Sequence, residues 1–532
     1  MSQRFIANGQ DDDSNGFRDD LVGWDFVDDD NDPFDAEVVG SGTSQALAAL
    51  ASTNDGQGRA GACPSCRLLP LRVSTGGAVE PQRLGQAIAY AAEQDATVVA
   101  AAGETLGTSA HLAAAVDYAW AAGTLVVTST GSGGSRRPAD PSALARTLPV
   151  GAVTLGEPGA DSTTATTFLA ASPCSDFGGR RLLSAPSRAC PPEAVGLVAG
   201  IAGLARSASL AAGDAAPRLT PGELLQLLTT TADDVDVAES RSPGSTLAWS
   251  QPGFDQRFGY GRVNASRAVA AVVAGRIPPE VDLRSPPPFA VVGADRVASV
   301  VEVVGTVSAR RAQTYDYRVE WAPGVQPEAV GFRPLVERMG IAATTVSGDG
   351  TPLARLDVRT IDPTHRPDPD SPRGENSTTI TLRVTATTHY GDPAGDVTAE
   401  LRRPLTVERD ADAVRGFPRE VPGAGAAAPQ LGDLDGDGLP ELVVATASGA
   451  VHVWSFARGE ADELAGFPFV TAADGEPRGP AYGSTSGINP DLLRESVATI
   501  PAIGDVDGDG APDLVVASRR GQLYVVNVEG EL

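Results

Sequence analysis

Gly23-Trp24-Asp25-Phe26-Val27-Asp28-Asp29-Asp30-Asn31-Asp32-Pro33, running on into Gly40-Ser41-Gly42-Thr43-Ser44-Gln45-Ala46, is the stretch around which the chain is organised. Its acidic middle, residues 28–32, reads equally as a cation-holding turn or as a solvated loop. Outward from it, to about residue 275, apolar strands alternate with helices. Strands are expected at 68–73, 96–100, 124–128 and 149–153, and helices at 84–94 and 112–122. Strands of near-continuous apolar residues between helices imply a parallel sheet covered by helices on both faces.

The opening stretch resembles the segment that leads into the catalytic histidine of subtilisin-like serine proteases. In that family the acidic loop is followed by Gly-His-Gly-Thr-His-Val-Ala. Further ordered matches are residues 59–73, residues 123–131, Pro138-Ala139 with Val150-Gly151-Ala152-Val153, Leu219-Thr220-Pro221 with Thr231-Ala232-Asp233-Asp234, and Phe258-Gly259-Tyr260-Gly261-Arg262-Val263-Asn264-Ala265. The resemblance implies a subtilisin-like α/β domain over residues 1–275. It also implies a catalytic-Asp strand of the form Val-x-Val-x-Asp-Ser/Thr-Gly before Asn8-Gly9. No such strand is present, and the chain reads as a fragment or as a gene start placed too far downstream.

The catalytic positions that the resemblance implies are degenerate. Ser41 stands in place of the general base. Ser132 stands in place of the oxyanion-hole Asn, with a shorter side chain. Pro192 falls on the nucleophile, and proline has neither a hydroxyl nor a backbone N–H. Pro192 is suited instead to start the helix expected over 194–207. Of the histidines His111, His365, His389 and His452, His111 is expected at the surface or as a cap at the start of its helix. Glu193 resembles the glutamate base of sedolisins but has no evident partner serine; taking Ser187 as nucleophile still leaves no base at Ser41.

Net charge is −27, and all 41 basic residues are arginine. Such a balance argues against nucleic acid and anionic membrane surfaces, which need basic patches. No apolar run is read as long enough to span a bilayer, and residues 1–5 show no apolar signal-peptide region. The four cysteines are read as two disulfides, Cys63 with Cys66 and Cys174 with Cys190. This fits export to the extracellular space or cell envelope. A zinc site is the other reading, disfavoured because the second pair lacks Cys-x-x-Cys spacing.

Pro278-Pro279 and Pro286-Pro287-Pro288 mark an expected linker over 276–290. Alternating strands over 291–410 then suggest an antiparallel β-sandwich of immunoglobulin or fibronectin-III kind, a spacer without chemistry. Residues 413–532 hold an internal repeat. Gly416-Phe417-Pro418 precedes Asp433-x-Asp435-x-Asp437-Gly438, and Gly466-Phe467-Pro468 precedes Asp505-x-Asp507-x-Asp509-Gly510. This resembles the FG-GAP/VCBS repeat of integrin-like β-propellers. About two blades are visible where closure needs four, so a partial propeller is expected. Carboxylates at every second residue converge on a hard cation. Calcium is expected at Asp433, Asp435, Asp437, Glu441 and the Leu439 carbonyl, and at Asp505, Asp507, Asp509, Asp513 and the Ala511 carbonyl. Asp11-Asp12-Asp13-Ser14-Asn15-Gly16 is a weaker candidate, a solvated loop being equally consistent with it.

The chain is therefore expected to be a catalytically inactive subtilisin-like module of an exported, calcium-binding multidomain protein, binding a protein or peptide or serving as a scaffold. Two alternatives remain: a divergent serine endopeptidase of the same family, and an adhesion protein acting through the propeller.

Overall fold

The computed structural model describes residues 8–35, 40–105, 107–136, 140–155, 168–188, 190–211, 218–242, 245, 247–294, 299–361, 378–391, 395–409, 414–423, 427–457 and 459–532. Residues 1–5, Pro138, Ala139 and His365, used in the sequence reading, lie outside them.

The quoted stretch forms a short strand, β1 (Trp24–Asp25), parallel to β2 (Leu71–Arg72). Gly23 is needed there. Its φ is 146°, and a Cβ would lie 1.9 Å from the Pro70 carbonyl oxygen. Trp24 packs edge-on against Phe17 with ring centroids 5.0 Å apart, and Phe17 against Tyr90 at 4.8 Å. Helix α1 (Ser41–Leu50) follows. Asp35 accepts hydrogen bonds from the Thr43 N–H and hydroxyl, satisfying part of its first turn.

Next come α2 (Pro81–Glu93), β3 (Val98–Ala101), α3 (Ala110–Ala122), β4 (Leu125–Ser129), β5 (Thr147–Thr154), β6 (Ala170–Ala171), β7 (Leu183–Pro186), α4 (Pro192–Ala211), α5 (Pro221–Thr230) and α6 (Ala265–Val273). β3, β4, β5 and β7 run parallel, and β6 joins β5 antiparallel. Alternation along β4 builds two layers. Val126 points into a core with Ile88, Leu112 and Ala115 from α2 and α3. Leu125 and Val127 point into the opposite core, with Ala194, Val198, Leu224 and Leu228 from α4 and α5. Helices thus cover both faces, as the apolar strands require. One expectation is corrected. Among the described residues one helix, α4, is long and apolar enough by length and composition to cross a membrane. Here it is a core helix: Ala194, Val195, Val198 and Ala202 are fully buried.

The expected linker is also corrected. β8 (Glu280–Ser285) occupies its middle, with Val281 and Leu283 buried. The strands after it are β9 (Val291–Gly293), β10 (Val300–Ser308), β11 (Thr314–Pro323), β12 (Arg333–Ala342), β13 (Ala354–Asp357), β14 (Thr379–His389) and β15 (Val397–Glu408). They form a three-stranded sheet, β13-β10-β8, and a five-stranded sheet, β12-β11-β14-β15-β9. Alternating residues such as Val303, Val319 and Val384 face one apolar core, continuous with that of α4 and α5. The Arg311 Nε–Glu223 Oε1 pair, 2.6 Å, ties this region to α5.

The repeats give two antiparallel sheets. The first has β16 (Gln430–Gly432), β17 (Glu441–Ala445), β18 (Ala450–Ser455), β19 (Asp462–Glu463) and β20 (Phe469–Val470). A short helix, α7 (Pro480–Gly483), then precedes β21 (Ala502–Gly504), β22 (Asp513–Ala517) and β23 (Leu523–Val526). Val443, Val451 and Val453 of the first sheet share a core with Leu514, Val516 and Val526 of the second.

This region is also fused to the first one. Ala481 and Ile488 enter the α2–α3 core. Gln82 Nε2 donates to the Arg494 carbonyl at 2.7 Å, and Arg478 makes a two-pronged pair with Asp29 at 2.5 and 2.6 Å. That pair holds Asp29 below the ordinary carboxylate range.

Candidate functional site

α1 and α4 pack in parallel at glycine contacts. A Cβ on Gly196 would lie 2.3 Å from the Gln45 carbonyl oxygen, and one on Gly200 would lie 2.8 Å from that of Ala49. Ser41 and Pro192 have the same offset, one turn earlier on each helix. The helix register therefore sets Ser41 opposite Pro192, the two positions that sequence alignment reads as base and nucleophile. Ser41 is exposed at the start of α1, and Pro192 opens α4. Neither side chain titrates near neutrality, and Pro192 has no N–H to offer an oxyanion.

Ser132, the position that sequence alignment reads in place of the oxyanion-hole Asn, donates its backbone N–H to Glu104 Oε1 at 2.6 Å. Sequence reasoning missed Glu104. Its carboxylate takes up the Ser132 amide donor, so that N–H is not free to receive another negative charge, and the carboxylate's own charge would repel one.

Glu193, expected to lack a serine partner, has one. The Ser187 hydroxyl donates to Glu193 Oε2 at 3.2 Å, and the Arg188 N–H donates to the same oxygen at 2.9 Å. Arg59 pairs with the other oxygen. Burial pushes the carboxyl up, but the Arg188 amide, the Arg59 guanidinium and the Ser187 hydroxyl outweigh it and hold Glu193 below its ordinary value. An ionised carboxylate already fixed by arginine is a weak base for a serine. The Cys174–Cys190 disulfide closes the loop before α4, and Cys63–Cys66 forms the second bridge.

His111 is neither exposed nor a cap. The cap of α3 is Ser109, whose Oγ accepts from the Leu112 N–H. The His111 ring is fully buried, stacked on Tyr482 and 2.8 Å from its hydroxyl through Nε2. Gly85 makes the space, since a Cβ there would lie 2.5 Å from His111 Nδ1. Burial lowers its pKa to about 4. His389 and His452 lie far along the chain, paired with Asp316 and Asp396 and with Glu463.

Acidic groups converge in both repeat loops. Asp433, Asp435 and Glu441 bring ligand oxygens within 4.8 Å of one another, as do Asp505, Asp507 and Asp509. The two turns are built alike. Asp433 accepts from the Gly436 and Gly438 amides and Asp505 from those of Gly508 and Gly510, while Asp437 and Asp509 accept from the Leu439 and Ala511 amides. Glu441 is fully buried. Its Oε2 accepts from the Leu434 N–H at 2.8 Å, whereas Oε1 has no hydrogen-bond partner among the described residues. Asp513, the equivalent residue, accepts from the Val506 N–H at 2.9 Å. The other acidic stretches are bonded differently. Asp28 and Asp29 pair with Arg72 and Arg478, and Asn15 donates to Asp13 and Asp20.

Residues 7–261 match the model of the subtilase (peptidase S8) family, and residues 433–516 match that of an FG-GAP-like repeat. The chain is similar to the thermophilic serine proteinase of Bacillus sp. (strain AK1), 37% identical over 137 residues, 25% of this chain and 33% of that protein. It is similar also to thermitase of Thermoactinomyces vulgaris, 38% identical over 130 residues, 24% of this chain and 46% of that protein. The chain thus spans between a third and a half of the length of these curated relatives. Against the solved structure of the prenylagaramide maturation protease PagA it is 20% identical, covering 44% of this chain and 82% of that one, with a TM-score of 0.35.

Proposed function

We propose that this chain, which carries a subtilase domain over residues 7–261 and an FG-GAP-like repeat over residues 433–516, is a non-catalytic member of that protease lineage. In this reading the domain serves in binding or as a scaffold within an exported, calcium-holding, multidomain protein. The observation that carries the proposal is the parallel register of α1 and α4, which sets Ser41 opposite Pro192. A base, a nucleophile and an oxyanion donor are absent from those two positions together. Removing members of such a triad singly already costs several orders of magnitude in rate. Glu104 on the Ser132 amide supports the same reading.

Calcium is the cation proposed for the repeat loops. Asp433, Asp435 and Glu441 would hold one ion and Asp505, Asp507 and Asp509 another, with Asp437, Asp513 and the Leu439 and Ala511 carbonyls as further oxygens. The buried, unpartnered Glu441 Oε1 supports the fit: a bare carboxylate oxygen there is costly unless a cation is paired with it. The ion would stabilise the turn and take no part in chemistry. The two disulfides support export, and the strands over 280–408 suit a sandwich-like spacer.

The test is labelling with a fluorophosphonate serine probe alongside hydrolysis of casein. The expected result is no labelled serine and no cleavage. Stoichiometric labelling of a serine within residues 7–261 would sink the proposal.

A further inference from the structure

Between the subtilase domain and the second repeat sheet lies a polar cleft of about 270 Å³, lined by neither Ser41 nor Pro192. One wall is residues 73–76 and Ala78 with Glu80 and Arg83 from the start of α2; the other is Asp474, Ser496, Arg519 and Arg520. Two of its arginines are matched. Arg519 pairs with Glu80 at 3.0 Å, and Arg520 pairs with Asp474. Arg83 is not. Among the described residues its buried Nε has no hydrogen-bond partner and its guanidinium forms no ion pair. Its charge reaches both Glu80 and Asp474 without a bond to either. Nor does a side chain cap the first turn of α2, because Glu80 is turned toward Ser496 and Arg519.

We propose that this cleft binds a carboxylate terminus, that of a small polar acid or of a peptide, with Arg83 pairing with the carboxylate. Among the lining residues three arginines face two carboxylates, an excess of one positive charge that a monoanion matches; the Glu495 carboxylate behind Asp474 is bonded to Tyr524. A dianion such as phosphate would also face Glu80 and Asp474. The guanidinium fork matches a carboxylate in two parallel hydrogen bonds, and the open first turn of α2 favours the same sign of charge. Thr75 lines the wall and offers a hydroxyl group to the body of the ligand, whereas the Ser74 hydroxyl is already bonded to the Gly76 backbone. The site exists only where the two modules meet, so an occupant would clamp them together.

Calorimetric titration of the full chain at neutral pH and low chloride tests this, with N-acetyl-Gly-Ser as free acid, its C-terminal amide, and inorganic phosphate. The free acid should bind, the amide should not, and phosphate should bind more weakly. Arg83→Gln should weaken the free acid by roughly tenfold or more, and Arg83→Lys by less. Because Arg83 holds no ion pair with a described residue, Arg83→Lys, which keeps the charge, should keep the unfolding temperature of the unliganded protein, and Arg83→Gln should remain folded. Comparable binding of acid and amide, tighter binding of phosphate, no binding of the acid, or wild-type affinity in Arg83→Gln would overturn the proposal. A dipeptide and a ten-residue peptide with the same terminus separate the two sources, both supporting the site if either binds through Arg83.

Discussion

Acidification tests the seam between the subtilase domain and the repeat through His111. The folded protein holds this imidazole neutral, with a pKa of about 4 against an ordinary value of 6.5, because burial disfavours the cation. The unfolded chain therefore takes up the proton first. The contribution of His111 to stability is complete above pH 6.5, is lost as pH falls through about 4, and is constant below that. The difference between those values corresponds to roughly 3 kcal/mol. Burial pushes the carboxyl groups of Glu93 and Asp255 up to about 7, with the opposite sign. Their stabilisation is present at low pH and lost as pH rises through about 7. The measurement must therefore be a difference. Unfolding free energies of the wild type minus those of His111→Gln, followed from pH 7.5 to 4, should fall by about 2–3 kcal/mol while contributions common to both cancel. Since the chain has only four histidines, nitrogen shifts of the rings give an independent reading, with one ring untitrated above about pH 5. A flat difference, or four rings titrating near their ordinary value, would refute the buried neutral imidazole.

Three further outcomes are expected. Gly196→Ala places a Cβ 2.3 Å from the Gln45 carbonyl oxygen and must push α1 from α4; scanning calorimetry should show a loss of about 1–3 kcal/mol, and an unchanged melting temperature would contradict the helix register. Calcium should raise the unfolding temperature of the full chain, by about 2.7 kcal/mol of stability per site at one hundred times its Kd. Asp435→Ala and Asp507→Ala should each remove one share, and a wild type indifferent to calcium would rule out both sites. Cys174→Ser with Cys190→Ser opens a loop of sequence separation 16, worth roughly 3 kcal/mol; thiol titration of the oxidised, denatured wild type should find no free thiol at either position.

The α/β layers were legible because β4 is apolar at every position that meets a helix layer, with Leu125 and Val127 on one side and Val126 on the other. Ser41 and Pro192 were read by alignment, Ser41 from Gly40, Gly42 and Thr43 around it and Pro192 only from Val198-Ala199-Gly200 downstream; that the two stand opposite each other comes from the helix register, which alignment does not give. What escaped was long-range. Nothing near His111 announces Tyr482, 371 positions away, so an isolated histidine at a helix start reads as exposed. β8 was hidden by the prolines on either side of it, although Val281 and Leu283 alternate with polar residues as a strand should. Glu104 escaped because its partner is a backbone amide, which leaves no trace in side-chain identity. In the repeat loops the spacing of the aspartates was visible, but which oxygens converge depends on the turn. Asp433, Asp435 and Glu441 meet in one loop; Asp505, Asp507 and Asp509 meet in the other.

Ala481 and Ile488 sit in the core between α2 and α3 although they belong to the repeat region. They act as a plug contributed late in the chain to a cavity formed early in it. The first module cannot bury those helices fully until the last one has been synthesised, so folding of the two is coupled in time as well as in space. A cut between them would expose apolar surface on both sides, and neither could be exchanged for a counterpart from a related protein without its matching half. The unit that can be inherited or transplanted is the pair.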